Sequence, residues 1–167
     1  MNVPDRVRWA VEVLDPRPED EILEIGSGPG VAASLVCQRL QSGRLLALDR
    51  SPVAVERIGE RNADHVAAGR LAVRQSALAD LIVPPSSFDK AFAVNVNVFW
   101  VGDPARELAV LKAALREGGS LHILYGAGGP TSADRVTGPV AAALREHGFA
   151  EVTARASAFG IGVTARR

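Results

Sequence analysis

The sequence contains very little cysteine and few aromatic residues. Its 167 residues include a single cysteine, and only 5% of them are Phe, Trp or Tyr. One cysteine excludes an internal disulfide framework and a thiolate metal cluster, so nothing in the composition requires an oxidising compartment. We therefore expect neither structural disulfides nor a thiolate-bound metal.

An excess of charge and a long apolar run are also absent. The 19 Lys and Arg residues balance the 19 Asp and Glu residues, giving a net charge of zero. A neutral chain has no overall electrostatic footprint for nucleic acid or anionic lipid. No apolar run approaches the length of a membrane span, and the first residues contain no signal-peptide core. These absences predict a cytoplasmic protein that binds neither nucleic acid nor membranes.

Short apolar runs alternate with longer segments of helical period, which is typical of an α/β protein. The length suits one domain, and hydrophobic residues make up 47% of the chain. Five strands are expected at 22–25, 45–48, 71–73, 89–98 and 120–125, the fourth range including the exit from its strand. Helices are expected at 31–40, 52–66, 104–115 and 131–147. Nearly continuous apolar strands suit a parallel sheet that is covered on both faces.

The pattern changes at the two ends of the chain. Residues 151–158 and 161–165 are strand-like runs separated by too few residues for a crossover helix, so they should pair antiparallel. Residues 1–20 are expected to form a leader whose helix, 6–14, packs over the sheet as a lid. Residues 21–167 then form a single domain of five βα units closed by a hairpin.

The strongest local signal is the glycine-rich stretch E-I-G-S-G-P-G at 24–30, between the first strand and the first helix of this domain. Glycines let the backbone approach a ligand closely, and a helix start offers free N–H groups. Asp49 closes the next strand, about 20 residues further on, where an acid binds the hydroxyls of a ribose. A plain strand-to-helix turn is the alternative. The context favours a nucleoside-bearing ligand.

The spacing of these glycines resembles motif I of the class I S-adenosylmethionine-dependent methyltransferases. Gly30 falls one residue earlier than the third glycine of a dinucleotide fingerprint, and Glu24 precedes the loop. The stretches L-L-A-L-D-R-S, F-D-K-A-F-A-V-N-V-N and L-R-E-G-G-S-L-H-I-L are similar to the later motifs of that family. The resemblance implies a doubly wound three-layer fold with a mostly parallel seven-stranded sheet, order 3-2-1-4-5-7-6, and S-adenosylmethionine as cofactor.

The resemblance also implies a set of cofactor-binding residues. Asp49 would bind the ribose, Glu24 would help to hold the amino-acid end, and Ser76-Ala77 would contact adenine. An Asp is common in the family where this chain has Ser76. The complete predicted cofactor set is Glu24, Gly26, Ser27, Gly28, Gly30, Asp49, Arg50, Ser76, Ala77, Asn95 and Val96.

The catalytic residues and the acceptor are less well specified. Methyl transfer from a sulfonium is a direct displacement, so a general base is needed only when the acceptor is protonated. Tyr125 is the single weak candidate, whereas the three histidines are interpreted as structural. No Asp, Asn and His cluster has metal-ligand spacing. The remaining prediction is a small-molecule acceptor, in a pocket bounded by Trp9, Asn97, Phe99 and Trp100.

Alternative functions remain open at this stage. The missing base leaves a non-catalytic module that binds S-adenosylmethionine or S-adenosylhomocysteine, and the glycine loop with Asp49 leaves an NAD(P)-dependent oxidoreductase. Only a short loop, G-A-G-G-P-T-S, separates the fifth strand from the last helix. We therefore expect an acceptor site that is open, or one that a leader helix or a second subunit of a homodimer completes.

Overall fold

A computed structural model of the chain describes residues 2–126 and 135–167. These two ranges contain seven strands, six α-helices and two short 3₁₀ turns, Leu78–Asp80 and Asn97–Phe99. In chain order the helices and strands are α1 Asp5–Leu14, β1 Glu21–Ile25, α2 Val31–Arg39, β2 Arg44–Asp49, α3 Pro52–Arg61, α4 Ala63–Ala67, β3 Leu71–Gln75, β4 Phe88–Val94, α5 Ala105–Ala114, β5 Leu115–Gly126, α6 Thr137–Glu146, β6 Ala150–Ser157 and β7 Gly160–Arg166.

The seven strands form one sheet in the order β3-β2-β1-β4-β5-β7-β6. The first five strands are parallel, and β7 runs antiparallel to both β5 and β6. Both the strand order and the antiparallel hairpin at the end of the chain are therefore confirmed. Since β1 lies between β2 and β4, the winding direction reverses there, and α/β folds bind ligands at such a point.

Helices cover both faces of the sheet. On one face α1, α2 and α3 pack with Ile22, Leu45 and Phe92. On the other, α5 and α6 pack with Leu23, Leu121 and Ile123. Alternate residues of each strand thus enter opposite apolar layers, which is why the strands read as continuous apolar runs. No helix in the described residues is long and apolar enough to cross a membrane.

The predicted helix over 52–66 is interrupted at Asn62. It begins as expected, with the Ser51 hydroxyl accepting a hydrogen bond from the Ala54 N–H and Pro52 in the first turn. At Asn62 the backbone leaves helical geometry, and the buried side-chain amide donates to the carbonyls of Ile58 and Gly30. This tertiary hydrogen bond to the glycine loop separates α3 from α4.

Two further elements differ from the sequence-based expectation. β5 begins at Leu115, and its register with β4 shifts between Phe88 and Lys90, so the predicted Glu117–Gly119 turn is a bulge within one strand. Gly118 takes a φ of +72° in this bulge. The last helix begins at Thr137; the first part of the expected helix and most of the loop before it, 127–134, lie outside the described residues.

Candidate functional site

A cleft of about 550 Å³ opens at the carboxyl ends of β1, β2 and β4. Its volume lies in the range of roughly 300–1,000 Å³ that is usual for small-ligand sites. The cleft combines apolar walls with a few polar groups from segments that are far apart in the chain. Its lining residues are Ile25, Gly26, Leu48, Asp49, Arg50, Ser76, Ala77, Leu78, Asn95, Val96, Asn97, Val98, Val101 and Glu107.

The three glycines of the loop have different structural roles. Gly26, Gly28 and Gly30 all have positive φ, at +66°, +54° and +77°. Gly26 faces the cleft, and a Cβ built on it would lie 2.6 Å from a methyl carbon of Val96. A Cβ on Gly30 would instead lie 3.0 Å from the backbone of Ile58 in α3. Gly30 therefore serves close helix packing and does not line the cleft.

Asp49 is the centre of the hydrogen bonds at the cleft floor. Its Oδ2 accepts from the Gly28 N–H at 3.0 Å, and its Oδ1 accepts from the Ser51 N–H at 2.9 Å. These bonds connect the end of β2 with the glycine loop and orient the carboxylate into the cleft. Each carboxylate oxygen has a further lone pair for a hydroxyl group. The geometry suits a vicinal diol such as a ribose.

Glu24 and Ser27 lie beneath the loop and not on the cleft surface. Glu24 is only 3% exposed, and its Oε2 has no hydrogen-bond partner among the described residues. Burial, aided by the nearby Asp49 carboxylate and partly opposed by a hydrogen bond from Ser27, raises the pKa of Glu24 to about 8. The Ser27 N–H is bonded to the carbonyl of Leu48. A buried carboxyl oxygen without a partner, close to the loop, suits an incoming cationic group, which would favour the ionised form of Glu24.

The exit of β4 is cross-linked to the end of β5. Asn95 adopts a φ of +58°, and its side-chain oxygen accepts from the Gly126 N–H at 2.9 Å. The hydroxyl of Tyr125 donates to the carbonyl of Val96 at 2.8 Å, and burial raises the pKa of this tyrosine. These bonds hold the Asn95-Val96 backbone against the cleft. The Tyr125 hydroxyl already donates its proton to a backbone carbonyl, which weighs against the predicted catalytic role.

The polar residues at the β2 and β3 ends also line the cleft. The Ser76 N–H donates to the carbonyl of Asp49, and its hydroxyl donates to the carbonyl of Ala77 at 2.8 Å. Arg50 is exposed, with its backbone carbonyl accepting from the Gln75 amide. Ser76, Ala77 and Arg50 therefore stand together at one end of the cleft, next to Asp49.

The four predicted acceptor-pocket residues are not all at the cleft. Asn97 lines it, and its side-chain oxygen accepts from the indole N–H of Trp100 at 3.3 Å. Phe99 is 2% exposed and belongs to the core beneath α5, with Trp100 packed against that core. Trp9 packs with Ala10 and Leu124 in a small separate cluster. Of these four, the cleft surface includes Asn97 alone.

Glu107 is a cleft residue that the sequence analysis did not identify. It lies in the first turn of α5, half-buried, and lines the same cleft as Ser76 and Leu78. The adjacent Arg106 forms a 3.5 Å ion pair with Asp80, which holds α5 near the Leu78–Asp80 turn. No motif marks Glu107, because an acid in the first turn of a helix is common for electrostatic reasons alone.

A family model described as "Methyltransferase domain" matches residues 22–119, which is more than half of the chain. A malonyl-[acyl-carrier protein] O-methyltransferase from Paenibacillus sp. is 34% identical over 62% of this chain and 37% of that protein. The chain spans between 24% and 61% of the length of the curated relatives it matches.

Solved structures share the whole architecture at low sequence identity. A SAM-dependent methyltransferase from Aquifex aeolicus superposes with a TM-score of 0.79 at 16% identity, over 96% of this chain and 88% of that one. An S-adenosylmethionine-dependent methyltransferase from Mesorhizobium loti gives 0.75 at 20% identity, over 96% and 98%. At these identities the likeness establishes the fold.

Proposed function

The chain belongs to the class I S-adenosylmethionine-dependent methyltransferase family, and on that premise we propose that it transfers a methyl group to a small-molecule acceptor. S-adenosylmethionine is the cofactor of this family. The observation that carries the proposal is the cleft itself, in which Gly26, Asp49 and the Asn95-Val96 backbone meet at the point where the winding direction reverses.

The residues present fit the cofactor. Asp49 offers a carboxylate to the ribose hydroxyls, and Gly26 lets the loop backbone lie against Val96 at the cleft, where a Cβ would collide with the Val96 side chain. The unpartnered Oε2 of Glu24 lies beneath the same loop and would favour the ammonium of the amino-acid end. When bound, S-adenosylmethionine supplies an electrophilic methyl group on its sulfonium.

The protein contributes mainly orientation to this reaction. Direct displacement requires the acceptor atom and the methyl carbon to be aligned and water to be excluded, and such positioning supplies much of the rate. The cross-links from Gly126 to Asn95 and from Tyr125 to Val96 hold the cleft wall in place. Tyr125 thereby acts as a positioning residue, and an acceptor that is nucleophilic at neutral pH needs no base.

Glu107 supplies the carboxylate that the adenine end otherwise lacks. The family commonly has an Asp where this chain has Ser76, and the Ser76 hydroxyl is bonded to the carbonyl of Ala77. Glu107 reaches the same cleft from α5. A carboxylate there would accept from the exocyclic amine of adenine, so the residue contributes to the choice of base.

A small acceptor is favoured over a macromolecule by charge and by space. The chain is neutral overall, so it has no electrostatic footprint for nucleic acid. Asn97, Val98 and Val101 line the part of the cleft that follows the β4 exit, and this mixed surface is suited to a small, partly apolar molecule. We propose that the acceptor side of the cleft is open to solvent, or that a second copy of the chain completes it.

Thermal unfolding with S-adenosylmethionine, S-adenosylhomocysteine and NAD tests the cofactor assignment. A ligand at a hundred times its dissociation constant stabilises the fold by about 2.7 kcal/mol. The two adenosyl ligands should each raise the unfolding temperature, whereas NAD should not; a response to NAD alone would overturn the assignment.

A second assay separates catalysis from mere binding. Protein loaded with methyl-labelled S-adenosylmethionine is mixed with small O-, N- and S-nucleophiles, and the release of S-adenosylhomocysteine is followed. Label transfer to an acceptor supports a methyltransferase. Tight cofactor binding without turnover on any acceptor class would favour a non-catalytic binding module.

A further inference from the structure

A second pocket of about 550 Å³ lies at the amino ends of the parallel strands, opposite the end where the cofactor cleft opens. It opens where β4 and β5 begin and β7 ends, beside the end of α1. The floor of this pocket lies on the sheet face that α1 packs against, beyond the end of that helix. The rest of that face is apolar, but the floor residues are polar. They are Ser120, His122, Thr153, Arg155 and Thr164.

His122 is the buried polar group of this floor. The side chain is 8% exposed, and its Nε2 lies 2.9 Å from the Ser120 hydroxyl. Its Nδ1 is buried without a hydrogen-bond partner among the described residues. Leaving a buried polar atom unpaired is costly, so native proteins rarely do so without a reason.

The neighbouring charges make the electrostatic potential at His122 positive. Burial and, to a smaller extent, the neighbouring cations Lys90, Arg155 and Arg166 together lower the pKa of His122 to about 4. The imidazole is therefore neutral at physiological pH. When its Nε2 accepts from the Ser120 hydroxyl, its Nδ1 carries the proton and is a hydrogen-bond donor.

Arg155 and Arg17 are the cations of the pocket lining that form no ion pair within residues 2–126 and 135–167, and of these two Arg155 lies on a strand of the sheet. Lys90 pairs with Asp20 at 2.9 Å, Arg116 with Asp89 at 2.5 Å and Arg166 with Glu151 at 3.8 Å. Arg155 instead uses its Nε to donate to the Thr164 hydroxyl at 3.3 Å. That bond leaves the terminal guanidinium nitrogens available.

The remaining charged groups of the lining are rim residues. Asp15, Arg17 and Glu117 are exposed, as are Thr153 and Arg155 of the floor, whereas Ser120, His122 and Thr164 are buried. The floor thus combines the guanidinium of Arg155, a buried imidazole and the hydroxyl of Thr164, whereas the Thr153 hydroxyl already donates to the carbonyl of Glu151. Such donors complement a carboxylate or phosphate group, which a guanidinium binds with two parallel hydrogen bonds.

We propose that this pocket is a second ligand site, which binds a small anionic molecule bearing a carboxylate or phosphate group through Arg155 and His122. The site is separate from the cofactor cleft, since the two open at opposite ends of the parallel strands and share no lining residue. It does not depend on the function proposed for the cleft.

Calorimetric titration with inorganic phosphate and with succinate tests the proposal, with and without saturating S-adenosylhomocysteine. We expect one of the two probes to bind at low ionic strength in both conditions and to weaken as salt is added. In parallel, the ring resonances of His122 should shift during the titration. The identity of the binding probe distinguishes phosphate from carboxylate recognition.

Arg155→Gln should weaken the binding of the probe about tenfold or more, since it removes a charge-assisted bidentate contact. Arg57→Gln is the matched control, because Arg57 is an exposed arginine of α3 that does not line the pocket. His122→Asn provides a second variant in the floor and should also weaken binding.

Three results would overturn the proposal. One is the absence of binding by both probes at low salt, and another is equal affinity in the Arg155→Gln and Arg57→Gln variants. The third is loss of binding when S-adenosylhomocysteine is added, which would assign the anion to the cofactor cleft. Circular dichroism of each variant establishes that a lost affinity does not reflect unfolding.

Discussion

At the residue scale, the cleft depends on acidic side chains in different environments. Asp49 is half-buried and bonded to two backbone N–H groups, whereas Glu24 is buried with one oxygen unpaired. Glu107 reaches the cleft from a helix. We propose that each carboxylate, in its own surroundings, has a separate function, and substitution can test them one residue at a time.

Asp49→Ala should weaken the binding of S-adenosylhomocysteine by roughly 1.5–3 kcal/mol, the usual contribution of hydrogen bonds to a charged group. Isothermal calorimetry measures the loss. Asp64→Ala is the control, because Asp64 is an exposed acid on α4. Equal affinity in the Asp49 variant and the wild type would remove Asp49 from the ribose site.

Glu107→Ala should reduce discrimination between S-adenosylhomocysteine and S-inosylhomocysteine, which has a carbonyl in place of the adenine amine. The wild type should prefer the adenosyl compound, because the Glu107 carboxylate accepts from the amine and repels the carbonyl. The variant should bind the two ligands with similar affinity. A preference that survives the substitution would assign base recognition to other groups.

Glu24→Gln should stabilise the ligand-free protein more at pH 8 than at pH 4.5. Burial raises the pKa of Glu24 from 4.5 to about 8, so between these values the folded state holds a proton that the unfolded state has lost. Wild-type stability therefore falls as pH rises through this window. Because glutamine does not ionise, the variant does not lose this stability, which amounts to up to a few kcal/mol at about 1.4 kcal/mol per pKa unit.

Thermal unfolding of wild type and Glu24→Gln at both pH values measures this difference. Glu12→Gln on the exposed side of α1 is the matched control and should show no pH-dependent gain. The same change in unfolding temperature at pH 4.5 and pH 8 would contradict the prediction.

At the element scale, the glycine loop is held by the helices behind it as well as by the strand before it. Asn62 donates to the carbonyl of Gly30, and Ile58 fills the space that a Gly30 side chain would need. The same contact interrupts the helix predicted over 52–66. The loop geometry and the boundary between α3 and α4 are therefore one packing arrangement.

Gly30→Ala should destabilise the protein more than Gly28→Ala. Both residues have positive φ, which costs a non-glycine residue about 1–2 kcal/mol. The new Cβ at position 30 would also lie 3.0 Å from the Ile58 backbone, whereas nothing lies within 4 Å of one at position 28. Chemical denaturation measures the loss of unfolding free energy in both variants. Equal losses would show that the Ile58 backbone can move away from the new Cβ at no energetic cost.

At the scale of the whole molecule, α1 is part of the core. Val7, Val11 and Leu14 pack with Ile22 and Phe92, while Trp9 packs on Leu124. The division predicted from sequence treats 1–20 as a leader that acts as a lid on the domain 21–167. Given this packing, we propose that α1 unfolds together with the sheet.

Leu14→Ala should lower the stability of the entire fold by about 2–5 kcal/mol, since Leu14 is 1% exposed. Denaturant unfolding should remain a single transition with a lower midpoint. Glu12→Ala, on the exposed side of the same helix, should change stability by less than about 0.5 kcal/mol. An unchanged main transition in Leu14→Ala would identify α1 as a separable lid.

The sequence by itself determined the alternation of strands and helices, the loop at 24–30, the acid at 49 and the terminal hairpin. These features depend on periodicity, on glycine conformation and on the few residues available for a turn, all of which are local properties. The strand order was implied by the resemblance to the class I methyltransferases, and the structure confirmed it.

Only the tertiary structure decided which residues meet. It brought Glu107 to the cleft from α5, directed Gly30 toward Ile58 and placed Phe99 in the core. It also assembled the second pocket around His122 and Arg155, which are more than thirty positions apart in sequence. The physical reason is that side-chain contacts across a sheet depend on register and on the packing of both faces, which short-range patterns do not encode.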